Sequence, residues 1–298
     1  MELNDFRVVT SSSVYRKGSA ASGALVSSSS TGGQHSNRYR YTLGEVLSTN
    51  ITLDVNVGDG WTRIRLKEVP KFIVHAFNMI TKFGMEVDGI FRKEGNSARL
   101  NRAEVQTIYK GQCDIPNDYT VIDVCTLVKR FLRDLKPPLL DSDEFRQRLF
   151  KKACQSRISN CFVLTRKEMA DMCYYSEEGS KEQQTPLLSD IHFSTLGYVM
   201  RQLSRISAHS DQHKMSVDNL SVVLVGSVFG DGIHNPKKGG AGQIRRGSQD
   251  DILAQKKQDM NVHVAAVKLL ITNVSCGHEN LSDGHAPFLG RDHVVSQR

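Results

Sequence analysis

Apolar positions along this chain keep two periods, and the change between them divides it. Ile51-Thr52-Leu53-Asp54-Val55-Asn56-Val57 alternates apolar and polar residues, and Trp61-Thr62-Arg63-Ile64-Arg65-Leu66 does so less cleanly beyond a Gly58-Asp59-Gly60 turn. That alternation predicts a small β-hairpin over 49–68. From Val69 on the period is helical. Pro70 suits a first helical turn, where its missing N–H would be unpaired anyway. Phe72, Ile73, Ala76, Phe77 and Ile80 make the apolar stripe, and Gly84 marks its end. Ser97 is the expected N-cap of a helix through about Tyr109, with Leu100, Val105 and Ile108 facing in. Val121, Val124, Cys125, Val128, Phe131, Leu132 and Leu135 recur at three- and four-residue steps, which predicts a buried helix over Thr120 to Leu135, stopped by Lys136-Pro137-Pro138.

A further helix is expected from Asp141 to about Gln155, opened by an Asp141/Glu144 capping box, and another from Ile191 to Ile206. Ser216 caps the next, with Asp218 in its first turn, and Ile252 to Val274 supplies the last. Between these lie polar or glycine-rich stretches, about 176–186 and 230–250, expected to be mobile insertions. Residues 1–48 are rich in Ser, Gly and Thr and cannot repay the entropy of ordering, so they and residues 276–298 are expected to be disordered. No internal repeat is visible. The chain reads as all-α: one helical domain over 69–275, of roughly eight helices, preceded by the hairpin.

Composition narrows the class. In 298 residues no run of about twenty apolar side chains occurs, so no membrane-spanning helix is expected, and Met1-Glu2-Leu3-Asn4-Asp5-Phe6 does not open a signal peptide. Six cysteines stand apart without a C-x-x-C, as reduced thiols of a cytoplasmic protein would, and Cys125 and Cys154 are expected in the core. The net charge is +7, and from Val128 to Ile158 nine Lys or Arg face four acids. Such an excess steers acidic partners, an anionic membrane surface among them, or is simply a solvated basic face. No aromatic RNA-binding block, zinc-finger spacing or basic zipper accompanies it, so nucleic acid is not expected.

The candidate chemistry sits at Val87-Asp88-Gly89-Ile90-Phe91-Arg92-Lys93-Glu94-Gly95. Gly89 and Gly95 can take positive φ without steric cost, Ile90 and Phe91 would anchor the segment in the core, and Arg92 between them would be held as a planar, permanently charged donor fork suited to phosphate. On these residues alone an ordinary surface arginine is an equal reading. Farther on, Val128-Lys129-Arg130-Phe131-Leu132-Arg133-Asp134-Leu135-Lys136-Pro137-Pro138-Leu139-Leu140 resembles the K-x-F-L-R-E-L-P-x-P-L-L pattern of the RhoGAP family, the GTPase-activating proteins of Rho-type small GTPases. Lys214-Met215-Ser216-Val217-Asp218-Asn219-Leu220-Ser221-Val222-Val223 resembles the family's N-x-M-x-x-x-N-L-A-x-V segment. Three blocks in one order are more specific than any one of them. The resemblance covers roughly Val69 to Val274, and Gly-Ile-Phe-Arg-Lys is similar to RhoGAPs that work at the cell cortex during mitosis.

That resemblance implies a domain that stimulates GTP hydrolysis by a GTP-bound Rho-family partner, with Rho the first expectation and Rac or Cdc42 the others. Arg92 matches the arginine finger, Lys129 and Arg133 the two basic residues that support it and contact the GTPase, and Asn219 an asparagine of the same face. The chain departs from the family at His213, at Gly226-Ser227 and at Lys136, where Asn, Pro-Asn and Pro are usual. These departures keep open a catalytically weak module of the same fold that holds a GTPase or an anionic membrane. No nucleotide, cofactor or metal site of the chain's own is expected. There is no G-x-x-x-x-G-K-[ST], His209 and His213 lack an H-E-x-x-H context, and no serine, histidine and acid triad stands out. Arg245-Arg246-Gly247-Ser248 resembles a basophilic kinase target, whose phosphate at Ser248 would lower local positive charge.

Overall fold

The computed structural model describes residues 40–56, 61–175, 186–230 and 249–275. Strands β1 (Ser48–Asn56) and β2 (Trp61–Pro70) pair antiparallel, Ile51 opposite Leu66 and Thr49 opposite Val69, with a register shift between Thr49 and Ile51. Glu68 takes a positive φ there, and its N–H donates to Asn50 Oδ1 at 3.2 Å. Ile51, Leu66 and Val69 are buried, so the hairpin is part of the core wall.

Ten helices follow among the described residues: α1 (Lys71–Phe83), α2 (Ser97–Leu100), α3 (Glu104–Tyr109), α4 (Val121–Asp134), α5 (Asp143–Ser159), α6 (Arg166–Cys173), α7 (Asp190–Ser207), α8 (Ser210–His213), α9 (Val217–Phe229) and α10 (Gln249–Ser275). Roughly eight were expected and seven were placed along the chain; these become ten because the predicted helix over 97–109 breaks into α2 and α3, and because α6 and α8 are too short to be read in advance. Two caps also shift. Asn96, not Ser97, accepts from the Ala98 and Arg99 N–H groups, and Ser142, not Asp141, accepts from Phe145 N–H. Thr120 with Asp123 and Ser216 cap α4 and α9.

α4 lies at the centre, buried through Val124, Cys125, Leu127, Val128, Phe131 and Leu132, and packs on α1 and α9. Phe131 meets Phe72 of α1 at 5.2 Å and Tyr109 of α3 at 5.4 Å between ring centroids. Such aromatic pairs contribute beyond the area they bury. Tyr41 completes this cluster, and Leu43 and Val46 are buried as well, around a single 3₁₀ turn, Leu43–Glu45, that packs on α7. The expectation of an unstructured segment through residue 48 therefore fails over 40–48, where three apolar side chains reach the core. Its earlier part, most of both expected insertions, Ser248 and the segment 276–298 lie outside the described residues. Cys125 is buried as expected, but Cys154 is exposed, on the outer face of α5.

Candidate functional site

The segment joining α1 to α2 carries Arg92, and its backbone is tied to several elements. Val87 N–H donates to Gly84 O at 3.0 Å, Gly89 N–H to His213 O at 2.9 Å, and Arg92 N–H to Gly89 O at 3.0 Å. Gly95 N–H donates to Thr126 Oγ1 at 3.0 Å and Asn96 N–H to Asp123 Oδ1 at 2.6 Å. Gly89 turns at φ 73°, as expected. The second left-handed residue is Phe91, at φ 61°, rather than Gly95. For a bulky residue that conformation costs on the order of 1–3 kcal/mol, offset here by complete burial of the ring against Phe77.

The Phe91 turn brings its carbonyl to α4, where Lys129 Nζ donates to it at 2.8 Å. The peptide between Phe91 and Arg92 is thus held at both ends, its oxygen by Lys129 and its N–H by Gly89. Gly95 is needed for space. A Cβ there would lie 2.6 Å from Asp123 Oδ1 and 2.7 Å from Asp123 Cα. Asp123 is buried, accepts from Thr120, Asn96 and Arg99, and so locks the far end of the loop to the start of α4. Burial alone would raise its carboxyl; the hydrogen bonds from Thr120, Asn96 and Arg99 outweigh that and hold it below the ordinary value.

The Arg92 side chain itself is hardly held. It is 51 % exposed, and its ion-pair partner is Asp88, Nη2 standing 3.6 Å from Oδ2. That carboxylate is half exposed and already bonded by Lys93 Nζ at 3.0 Å, which draws it below its ordinary pKa, with burial opposing and Arg92 assisting. A pair this exposed contributes little and releases easily.

Lys129 turns inward, 12 % exposed, with Glu94 Oε1 at 2.5 Å. Arg133, one turn on along α4, is 37 % exposed, its Nε 3.1 Å from Asp134 Oδ1, and lines a groove of about 830 Å³ with Glu94, Lys129, Arg130 and Gly226. Asn219, in the first turn of α9, is exposed, and its Nδ2 donates to Lys214 O at 2.9 Å. It braces the 213–215 turn that accepts Gly89 N–H. Arg92, Lys129 and Asn219 are therefore linked through one loop, and Arg133 continues the same face of α4.

The three departures from the expected pattern have separate physical readings. His213 is fully buried; its Nε2 meets Ile206 O at 2.9 Å and its Nδ1 accepts from Met215 N–H at 3.2 Å. Burial depresses its pKa, the Ile206 carbonyl opposes this, and His209 adds to it. Lys136 N–H donates to Tyr41 O at 2.7 Å, a bond that a proline has no hydrogen to make. At Gly226 a Cβ would meet nothing within 4 Å, so this glycine only opens the groove.

Several participants escape sequence reasoning. Glu94, Asp88 and Thr126 are ordinary polar residues until the loop closes on α4. Val222, exposed on α9 three residues beyond Asn219, shows no pattern of its own. Asp123 could have been found, since Thr120-x-x-Asp123 forms a capping box. Among the described residues no group of three or more His, Cys, Asp or Glu could hold a metal, and no helix is long and apolar enough to cross a membrane.

Comparison with known proteins adds to this geometry. "Probable Rho-type GTPase-activating protein 4" of Schizosaccharomyces pombe is 24 % identical over 172 residues, 54 % of this chain and 15 % of that protein. "Rho-GTPase-activating protein LRG1" of Saccharomyces cerevisiae is 26 % identical over 190 residues, 62 % of this chain and 17 % of that protein. The matched part is thus less than a fifth of either relative's length. The crystal structure of human Rho GTPase activating protein 15 aligns with a TM-score of 0.48 at 18 % identity, over 70 % of this chain and 82 % of that one. The RhoGAP domain model matches residues 70–231, more than half of the chain, and the chain accordingly belongs to the RhoGAP domain family.

Proposed function

We propose that this domain accelerates GTP hydrolysis by a GTP-bound Rho-type small GTPase, Arg92 entering the partner's active site in trans. A GTPase holding nucleotide already has its magnesium, phosphate loop and attacking water; what it lacks is positive charge where negative charge grows between the β- and γ-phosphates. A guanidinium placed there is worth about 10³ to 10⁵ in rate, or roughly 4–7 kcal/mol of transition-state stabilisation. The observation that carries the reading is the contrast at Arg92. Its backbone is fixed from both sides of the preceding peptide, while its side chain is half exposed and tied to one solvent-facing carboxylate.

In this reading Lys129 positions the loop, and Arg133, Asn219 and exposed Val222 face the partner. Rho is the first choice of GTPase, and action in the cytoplasm with recruitment to the cell cortex belongs to the same proposal. The test is single-turnover GTP hydrolysis by Rho, Rac and Cdc42, with and without the domain. Acceleration of at least one is expected, and acceleration of none would leave only a binding module.

A further inference from the structure

The basic excess noted along the chain is not spread evenly, and its densest part lies away from the Arg92 loop. From Phe145 to Lys167 there are seven Lys or Arg and no Asp or Glu. Three of the cations are used internally: Arg146 pairs with Asp143, Arg148 with Glu144, and Lys152 with Glu168 at 3.0 Å. Lys151, Arg157 and Lys167 are exposed and enter no ion pair among the described residues. Lys151, Cys154, Gln155 and Ile158 follow one another at helical spacing, so they form a single outward stripe on α5 that contains no acid.

At the end of that stripe stand two aliphatic side chains that a water-facing surface does not need. Ile158 is 88 % exposed and Val163 55 %. Neither belongs to a frayed segment. Cys161 N–H donates back to Ser156 O at 3.1 Å beyond the left-handed cap at Asn160. On either side of Val163, Leu164 N–H donates to Asn273 Oδ1 at 2.7 Å, and Phe162 O accepts from Asn273 Nδ2 at 2.8 Å. One buried amide of α10 thus clamps the loop and presents Val163 outward.

We infer that this end of α5, with the loop to α6, is a docking surface for an anionic membrane: Lys151, Arg157 and Lys167 meet acidic headgroups, and Ile158 and Val163 enter the interfacial layer. Unpaired cations around exposed aliphatic groups, without an acid among them, match the charge and polarity of such a surface. α5 packs on α10 and α6, whereas the Arg92 loop is held by α1, α4 and the turn before α9, so the two faces use different elements. Docking there would leave the Arg92 face free.

The test uses the whole chain in vesicle flotation, with phosphatidylcholine alone and with phosphatidylserine added. Partition into the serine-containing vesicles, weakened by salt and absent with phosphatidylcholine alone, is expected. Replacing Lys151→Gln or Arg157→Gln should lower the partition coefficient about fivefold each, and Ile158→Ser should lower it further. The exposed positions should leave thermal stability unchanged. The same variants should stimulate a GTPase in solution as well as wild type, and Arg92→Ala should float as wild type does, which separates this inference from the proposed activity. Equal binding to both vesicles, no binding to either, or undiminished binding by the combined Lys151, Arg157 and Ile158 variant would overturn it.

Discussion

At the scale of the residue, two cations one turn apart on α4 are held in different ways. Lys129 is nearly enclosed and bonds the Phe91 carbonyl, whereas Arg133 is over a third exposed in the groove. Lys129→Met should therefore lower stimulated kcat while leaving the KM for the GTPase little changed. Arg133→Ala should raise that KM and flatten its dependence on salt. Kinetics over a GTPase concentration series, at two ionic strengths, distinguishes the two. His213 makes a second prediction. Its pKa is lowered below the usual 6.5, so the folded state prefers it neutral. The stability this gives is complete above 6.5 and is lost as pH falls through the depressed value, when a proton on Nδ1 would displace the Met215 N–H bond. Thermal melting of wild type should show this acid loss, and His213→Asn should show a flatter pH profile whatever its absolute stability. Arg92 and Lys129 could be singled out from the sequence as candidates; that Lys129 bonds a carbonyl of the Arg92 loop could not, because nothing in a helical stripe indicates which backbone oxygen thirty-eight residues earlier will come to meet it.

At the scale of the element, the loop between α1 and α2 is held by close approach more than by its glycine count. Gly95→Ala should destabilise the fold by about 1–3 kcal/mol, the usual cost of overpacking, since the added carbon meets both the Asp123 backbone and its Oδ1, an oxygen already pinned by the Asn96 N–H. Urea unfolding measures it, and an unchanged midpoint would contradict the packing described. The regular elements with long apolar stripes, α1, α4 and α7, were readable because each buries a continuous face. α6 was missed although Thr165-x-x-Glu168 forms a capping box at its start, Thr165 N–H and hydroxyl both bonding Glu168. Buried Met169, Met172 and Cys173 follow that box at helical steps, but over so short a helix that the period does not stand out. The bonds from Thr165 and from Lys152 hold Glu168 down to about 2. The split of the 97–109 helix was equally hidden, because nothing marks residues 101–103 as a break; the Asn101 N–H bonds Ser97 O and the Arg102 N–H bonds Arg99 O as the first helix closes.

At the scale of the whole molecule, one helix, α4, carries Lys129 and Arg133 on one face and Phe131 of the aromatic cluster on the other, so candidate site and core are not separable. The burial of Tyr41, Leu43 and Val46 shows why a composition argument placed the tail boundary too late: three apolar side chains in a polar stretch suffice when a cleft is ready for them. A chain of net charge +7 should associate with a Rho-type GTPase at a rate that falls as salt rises, a dependence stopped-flow association can read. The most direct measurement remains single-turnover GTP hydrolysis with wild type and Arg92→Ala side by side, together with capture of the domain by GTP-loaded partner. The role proposed for Arg92 predicts a loss of about 10³-fold or more in stimulated rate with capture largely retained, and a similar failure of Arg92→Lys, whose charge survives without the planar fork. An Arg92→Ala domain that stimulates hydrolysis as wild type does would contradict it.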